Sequence, residues 1–125
     1  MAEAEKGGRI VFTTSVGAFQ SNATQTHYCA TKGGLHLLAM GMAIELAPLD
    51  ITVNCIAPGW IHTDINDSLS GQPSVVKSWL EWNCPMGRLG QPQDCVGAVL
   101  FFCSPEASYI TGSSVFIDGG WMSKL

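Results

Sequence analysis

The chain has little positive charge. Six lysine and arginine residues stand against ten aspartate and glutamate residues, which gives a net charge of −4. The basic residues are scattered along the 125 positions and form no patch. Because proteins bind nucleic acids chiefly through clustered lysine and arginine, we expect no nucleic-acid partner.

The chain also lacks a long apolar run. The longest, AVLFFC at 98–103, is far shorter than the roughly 20 residues that cross a bilayer as a helix. The first residues, MAEAEKGG, are acidic and contain no apolar stretch, so they do not resemble a signal peptide. We therefore expect no membrane association and a cytoplasmic location.

A third absence concerns the cysteines, which are five in number and show no CxxC spacing. An odd set without metal-ligand spacing is typical of free thiols in a reducing compartment. We predict buried free thiols and no metal site, with a metal site or a disulfide framework as the alternative.

What the chain does have is apolar content, 46% of all residues, enough for a real core. Short apolar runs rich in β-branched residues alternate with helical patterns. The predicted strands are 8–14, 51–57 and 113–120, the predicted helices are 26–47 and 92–104, and an amphipathic, irregular stretch covers 65–82. This alternation predicts an α/β fold with a parallel sheet covered by helices. No repeat or linker divides the chain, so we expect one domain over 1–125.

The stretch HYCATKGG, residues 27–34, carries the chemistry. Tyr28 and Lys32 are four residues apart, which places both on one face of the predicted helix. An ammonium beside a phenol, near a helix N-terminus, predicts a proton donor and acceptor. Ser15 directly follows the first strand, where ligands bind in parallel sheets, so its hydroxyl is expected to hold a substrate oxygen. The alternative for the pair is a packed tyrosine beside an exposed lysine.

Four segments carry a family resemblance in one order: TTS, YCATKGG, ITVNCIAPGWIHTD and ITGSSVFIDGG. Together they resemble the short-chain dehydrogenase/reductase family over about residues 8–120, and most of all members similar to glucose dehydrogenases and ketoacyl-carrier reductases. Ser15 lies thirteen positions before Tyr28, as the family's active-site serine does. The resemblance implies the C-terminal part of a Rossmann-like doubly wound parallel sheet, with its last three strands and their covering helices.

The resemblance also implies roles for the catalytic residues. Tyr28 would be the general acid/base, and Ser15 would bind and polarise the substrate oxygen. Lys32 would assist Tyr28 and bind the nicotinamide ribose. The cofactor would be NAD or NADP, and the substrate would be a small alcohol or carbonyl compound.

The segment PGWIHTD, residues 58–64, would contact the cofactor. Pro58 and Gly59 would shape the turn beside the nicotinamide. The Ile61 backbone would meet the carboxamide, and Thr63 would reach the carboxamide or a phosphate. His62 is expected at the surface of the turn.

Residues 65–90 would form the substrate lid. Three tryptophans would line the substrate pocket or pack within the lid: Trp60, just before the lid, and Trp79 and Trp82 within it. The sequence alone leaves both possibilities open.

The chain departs from the family pattern in its first half. It has no G-x-x-x-G-x-G loop, no NNAG segment and no asparagine on a helix before the serine strand. We therefore expect a truncated domain that corresponds to the family's C-terminal half. Its strand at 9–14 would have an open edge and its apolar helix at 28–47 would lack a cover, so we expect a homo-oligomer or association with a complementary chain.

Three functions are compatible with these observations. The first is an oxidoreductase that interconverts a hydroxyl and a carbonyl with NAD or NADP. The second is a catalytically inactive fragment, and the third is an interaction module that acts through helix 28–47 on a full-length relative. An upstream coding segment for the glycine loop would favour the first, and co-purification with a full-length relative would favour the third.

Overall fold

The structure is a computed structural model that describes residues 1, 6–64 and 72–124. Three strands form one sheet: β1 (Gly8–Thr13), β2 (Ile51–Pro58) and β3 (Ser114–Ile117). Three helices accompany them: α1 (Thr26–Leu46), α2 (Pro73–Asn83) and α3 (Pro92–Cys103). The three strands, α1 and α3 lie where the apolar runs predicted them, whereas α2 lies in the stretch expected to be irregular.

All pairing in the sheet is parallel, with β2 between β1 and β3. Every residue of β2 from Ile51 to Ala57 is buried. Within the described residues, β1 pairs only with β2. A parallel sheet whose central strand is buried on both faces confirms the predicted α/β fold class.

Successive side chains of β2 point to opposite faces of the sheet, and a helix covers each face. On one face Ala39 and Ala43 of α1 pack with Val53 and Cys55. On the other face Phe102 of α3 packs with Ile56 and with the turn that follows the helix. The small residues of α1 let this helix approach the sheet closely.

The segment predicted as a strand at 113–120 contains a four-residue strand and a turn. The strand ends at Ile117 because the Asp118 carboxylate then accepts the backbone N–H groups of Gly120, at 2.9 Å, and Met122, at 2.8 Å. Gly119 and Gly120 both have positive φ, at 63° and 90°, which glycine adopts readily.

The region expected to be irregular contains a regular helix. Residues 65–71 lie outside the described residues, and α2 begins at Pro73. The Lys124 ammonium donates to the carbonyl groups of Glu81, at 3.0 Å, and Trp82, at 2.6 Å, in the last turn of α2. A cation is favourable at that end of a helix. The described part of the predicted lid is therefore α2 and the loop after it.

A buried amide ties the third strand to the second. Asn54, with 1% of its surface exposed, donates from Nδ2 to the Ile110 carbonyl at 2.8 Å and accepts the Ser113 N–H at 3.0 Å. Beside it, the Thr111 hydroxyl accepts the Val53 N–H at 3.0 Å. These bonds hold the segment that leads into β3.

We predict that Asn54→Leu lowers the free energy of unfolding by roughly 2–4 kcal/mol, because it leaves two backbone groups without a partner. Urea unfolding at constant pH measures the change. The control is Asn22→Leu at an exposed loop position. Equal stability of the two variants would contradict a structural role for the buried amide.

Candidate active site

The residues singled out from the sequence gather at one edge of the sheet. Because the three strands are parallel, their carboxyl ends meet there. Ser15 follows β1 by two residues, Gly59 follows β2 directly and Asp118 follows β3 directly. Ligands of parallel α/β sheets bind at this edge.

Hydrogen bonds fix Ser15 just after the carboxyl end of β1. Both the N–H and the hydroxyl of the preceding Thr14 donate to the Ile56 carbonyl, each at 2.9 Å. The Ser15 hydroxyl caps a short 3-10 turn and accepts the Gly17 N–H at 3.1 Å. Since this oxygen already accepts one hydrogen bond, its own proton can be donated to another group.

Tyr28 lies in the first turn of α1, and 41% of its surface is exposed. Its ring borders Gly17. A Cβ atom added to Gly17 would lie 3.2 Å from Tyr28 Cε1 and 3.4 Å from Ser15 Oγ. The structure therefore brings the serine and the tyrosine together at a single glycine.

Lys32 completes the group one helical turn after Tyr28. Its ammonium donates to the Thr13 carbonyl, the last of β1, at 3.0 Å, and lies 5.8 Å from the centroid of the Tyr28 ring. The bond holds the lysine head near the Tyr28 ring, at a position that stays open to solvent. Ser15, Tyr28 and Lys32 thus form one cluster, while their catalytic roles stay predictions.

The turn after β2 packs closely against the end of β3. The Gly59 N–H donates to the Ile117 carbonyl at 3.0 Å. A Cβ atom on Gly59 would lie 2.9 Å from both Cα and Cβ of Asp118, closer than such atoms approach. Glycine at this position therefore allows the turn after Pro58 to remain against the sheet.

The next residues of this turn pair with a distant loop. Ile61 forms a parallel bridge with Gly90. The Gly90 N–H donates to the Trp60 carbonyl at 3.0 Å, and the His62 N–H donates to the Gly90 carbonyl at 2.8 Å. Thr63 follows and is partly buried. The residues expected to contact the cofactor therefore lie at the carboxyl end of β2, beside the strand that leads to Ser15.

Two of the three tryptophans line a cavity of about 370 Å³, namely Trp60 and Trp79. They also pack on each other edge to face, with centroids 4.6 Å apart, and Trp79 packs in the same way on Trp121 at 4.8 Å. Trp82 is 75% exposed and lines no part of this cavity. Trp121 was not predicted to belong to this cluster, because its position depends on the turn after β3.

The cysteines are less buried than the sequence analysis predicted. Cys55 and Cys84 are buried as predicted, but Cys29 and Cys95 are only partly buried and Cys103, the last residue of α3, is exposed. Burial raises the pKa of the Cys55 thiol. All five cysteines are free, and no cluster of histidine, cysteine or acidic residues in the described segments could hold a metal ion.

None of the described helices combines the length and the hydropathy that a membrane span requires.

The chain matches the family model described as enoyl-(acyl carrier protein) reductase over residues 1–122. It is 41% identical over 126 residues to an L-rhamnose 1-dehydrogenase (NAD(P)(+)) of Azotobacter vinelandii, and this match covers 100% of the chain and 48% of the relative. It is also 41% identical over 116 residues to the 3-oxoacyl-[acyl-carrier-protein] reductase FabG of Aquifex aeolicus, covering 93% of the chain and 46% of that relative.

A solved structure shows the same fold. A gluconate 5-dehydrogenase from Burkholderia cenocepacia, in complex with NADP and tartrate, superposes with a TM-score of 0.92 at 32% identity. The match covers 99% of this chain and 48% of that chain. The chain thus spans about half the length of the curated relatives and of the solved structure that it matches.

We predict that Gly17→Ala destabilises the chain by about 1–3 kcal/mol, the usual cost of overpacking, because the new methyl group presses on Tyr28 and Ser15. Gly41→Ala on α1 is the control, since a Cβ atom there meets nothing within 4 Å. Urea unfolding compares the two. If Gly17→Ala is at least as stable as Gly41→Ala, the Tyr28 ring and the Ser15 hydroxyl do not approach Gly17 as closely as described.

Proposed function

Because this chain belongs to the short-chain dehydrogenase/reductase family, we propose that it carries the proton-transfer site of a nicotinamide-dependent oxidoreductase that interconverts a hydroxyl and a carbonyl group. The observation that carries the proposal is the approach of the Ser15 hydroxyl and the Tyr28 ring to the same glycine, Gly17. The names of the relatives, a sugar dehydrogenase and an oxoacyl reductase, agree with this chemistry.

Tyr28 is the proposed general acid/base. During reduction its phenol donates a proton to the substrate oxygen, and during oxidation it takes that proton back. Its partial exposure leaves room for a substrate beside the ring. The Lys32 ammonium, fixed by the Thr13 carbonyl, places positive charge where negative charge develops on the phenol oxygen as the proton leaves.

Ser15 is the proposed substrate-binding hydroxyl. It accepts the Gly17 N–H, so its proton is directed toward a second acceptor. The acceptor would be the same substrate oxygen that Tyr28 protonates. A hydroxyl that accepts one hydrogen bond while it donates another is polarised by the first, which strengthens the second.

The donor set around this cluster suits the nicotinamide end of NAD or NADP. Lys32 would bind the ribose, the Ile61 backbone would hold the carboxamide, and Thr63 would reach the carboxamide or a phosphate. Pro58 and Gly59 shape the turn that carries them. When bound, the nicotinamide supplies or takes up the hydride. The Azotobacter relative, named for NAD(P)(+), and the Burkholderia structure with NADP support this assignment.

We predict that Tyr28→Phe lowers kcat by roughly 10²–10⁴-fold, because phenylalanine retains the ring and removes the proton that is transferred. The loss of nicotinamide absorbance with a carbonyl substrate measures the rate. Tyr109→Phe is a matched control, because Tyr109 is fully exposed and is the only other tyrosine. Turnover by Tyr28→Phe at the rate of this control would rule out the proposed role.

We also propose that the chain associates through α1. Three apolar residues of this helix are largely exposed, Leu37 at 66%, Leu38 at 54% and Ile44 at 78%. β1 has only one neighbouring strand among the described residues, and an apolar strand edge favours pairing. A second copy or a complementary chain would cover both features.

We predict that sedimentation equilibrium at micromolar concentration shows self-association and that Leu37→Lys weakens it, because an ammonium on the interface must be desolvated. Leu100→Lys on α3 is the control, since Leu100 is similarly exposed at 64%. A monomeric parent chain, or equal effects of the two variants, would contradict association through α1.

A further inference from the structure

A single carboxylate organises the loop before α3. Asp94 accepts two hydrogen bonds from the Arg88 guanidinium, at 2.7 and 3.0 Å, and a third from the Gln91 backbone N–H at 2.7 Å. The pairing with arginine is bidentate, so it fixes direction as well as distance. Two residues of the loop, three positions apart, are therefore held by one side chain of the helix.

Gly90 lies between those two anchored residues. Its N–H and its carbonyl both bond to the turn after β2, to the Trp60 carbonyl and to the His62 N–H. A Cβ atom on Gly90 would collide with Cδ1 of Ile61. The loop therefore meets the turn through its backbone, and a side chain at Gly90 would displace the end of the Ile61 side chain.

The bridge determines how Ile61 faces. In a parallel bridge, one residue makes both hydrogen bonds to the other strand. Its N–H donates to the carbonyl of the residue before its partner, and its carbonyl accepts the N–H of the residue after its partner. Gly90 bonds to Trp60 and His62 in this way, so the peptide groups of Ile61 itself point to the side away from Gly90. The direction of these groups depends on where Gly90 is held.

The pKa of Asp94 is consistent with this hydrogen bonding. The hydrogen bonds from the Arg88 guanidinium, and then that from the Gln91 N–H, lower the pKa of Asp94 to about 2. Because the pKa of Asp94 is lower in the folded chain, the ion pair is fully formed when the pH is above ~3.9, the ordinary aspartate value. It is lost as the pH falls through about 2. The two side chains are 51% and 34% exposed, and exposed ion pairs add little stability, so geometry is the main effect.

We propose that Arg88, Asp94 and Gly90 are positioning residues for the turn at 60–62. The Asp94 carboxylate fixes both flanks of Gly90, and Gly90 directs the Ile61 peptide groups toward the nicotinamide carboxamide. The claim that the Ile61 peptide groups face the nicotinamide carboxamide rests on the proposed function. The claim that the ion pair holds the turn at 60–62 does not depend on it.

The first test is Asp94→Asn, which retains an oxygen for the Gln91 N–H and removes the ion pair. We expect hydrogen exchange of the Gly90 and His62 amides, followed by NMR, to become faster by about threefold, the effect of losing one exposed ion pair. The Cys55 amide, which bonds to the Ser113 carbonyl in the sheet, should exchange at the parent rate.

Two further variants sharpen this test. Arg88→Lys retains the positive charge but cannot donate two parallel hydrogen bonds to the Asp94 carboxylate. It should therefore accelerate the exchange of the Gly90 and His62 amides less than Asp94→Asn does. Glu45→Gln, at an exposed position on α1, should give none. Unchanged exchange at Gly90 and His62 in Asp94→Asn would overturn the proposal, as would equal acceleration throughout the sheet.

The second test is an NMR titration with NADH up to millimolar concentration. We expect the Ile61 amide resonance to move in the parent chain and to require about threefold more NADH in Asp94→Asn, the same factor expected for exchange. Equal titrations would overturn the positioning role. If the Ile61 resonance does not move in the parent chain, the proposed cofactor contact fails, and the exchange experiment alone decides whether the ion pair holds the turn.

Discussion

The geometry of the candidate active site depends on the absence of a side chain at Gly17. This residue donates its N–H to the Ser15 hydroxyl, and the space that its Cβ would take borders both that hydroxyl and the Tyr28 ring. The two groups come from different elements, the end of β1 and the first turn of α1. A Cβ atom at this position would lie 3.2 Å from Tyr28 Cε1 and 3.4 Å from the Ser15 hydroxyl, so a side chain would push the ring away from the serine.

The parallel sheet supplies the frame for this contact. β2 is buried along its length and holds both neighbours, β1 through its register from Gly8 to Thr13 and β3 through the Asn54 amide. The bonds from Thr14 to the Ile56 carbonyl extend this frame beyond the last paired residues and toward Ser15. The Lys32 ammonium then ties α1 to the carbonyl end of β1. Ser15 and Lys32 are thus held by backbone atoms of the sheet or of the turn that follows it.

The sequence predicted features that depend on local pattern. Apolar runs located the strands and helices, and the four-residue spacing placed Tyr28 and Lys32 on one face of α1. Gly17 and Gly90 could not be recognised in this way, because their importance lies in which residues approach them in space. The exposed Cys103 shows the same limit, since composition indicates a buried helix but not which side of α3 faces the sheet.

The proposed function depends most on the approach of Ser15 and Tyr28 to Gly17. The most direct measurement is a nuclear Overhauser spectrum of the chain, with Gly17 assigned by isotope labelling. We expect cross-peaks between the α-protons of Gly17 and the ring protons of Tyr28, and none between Gly17 and the exposed Tyr109. A spectrum in which Gly17 shows no contact with Tyr28 would contradict this geometry, because the phenol and the serine hydroxyl would then have no common neighbour.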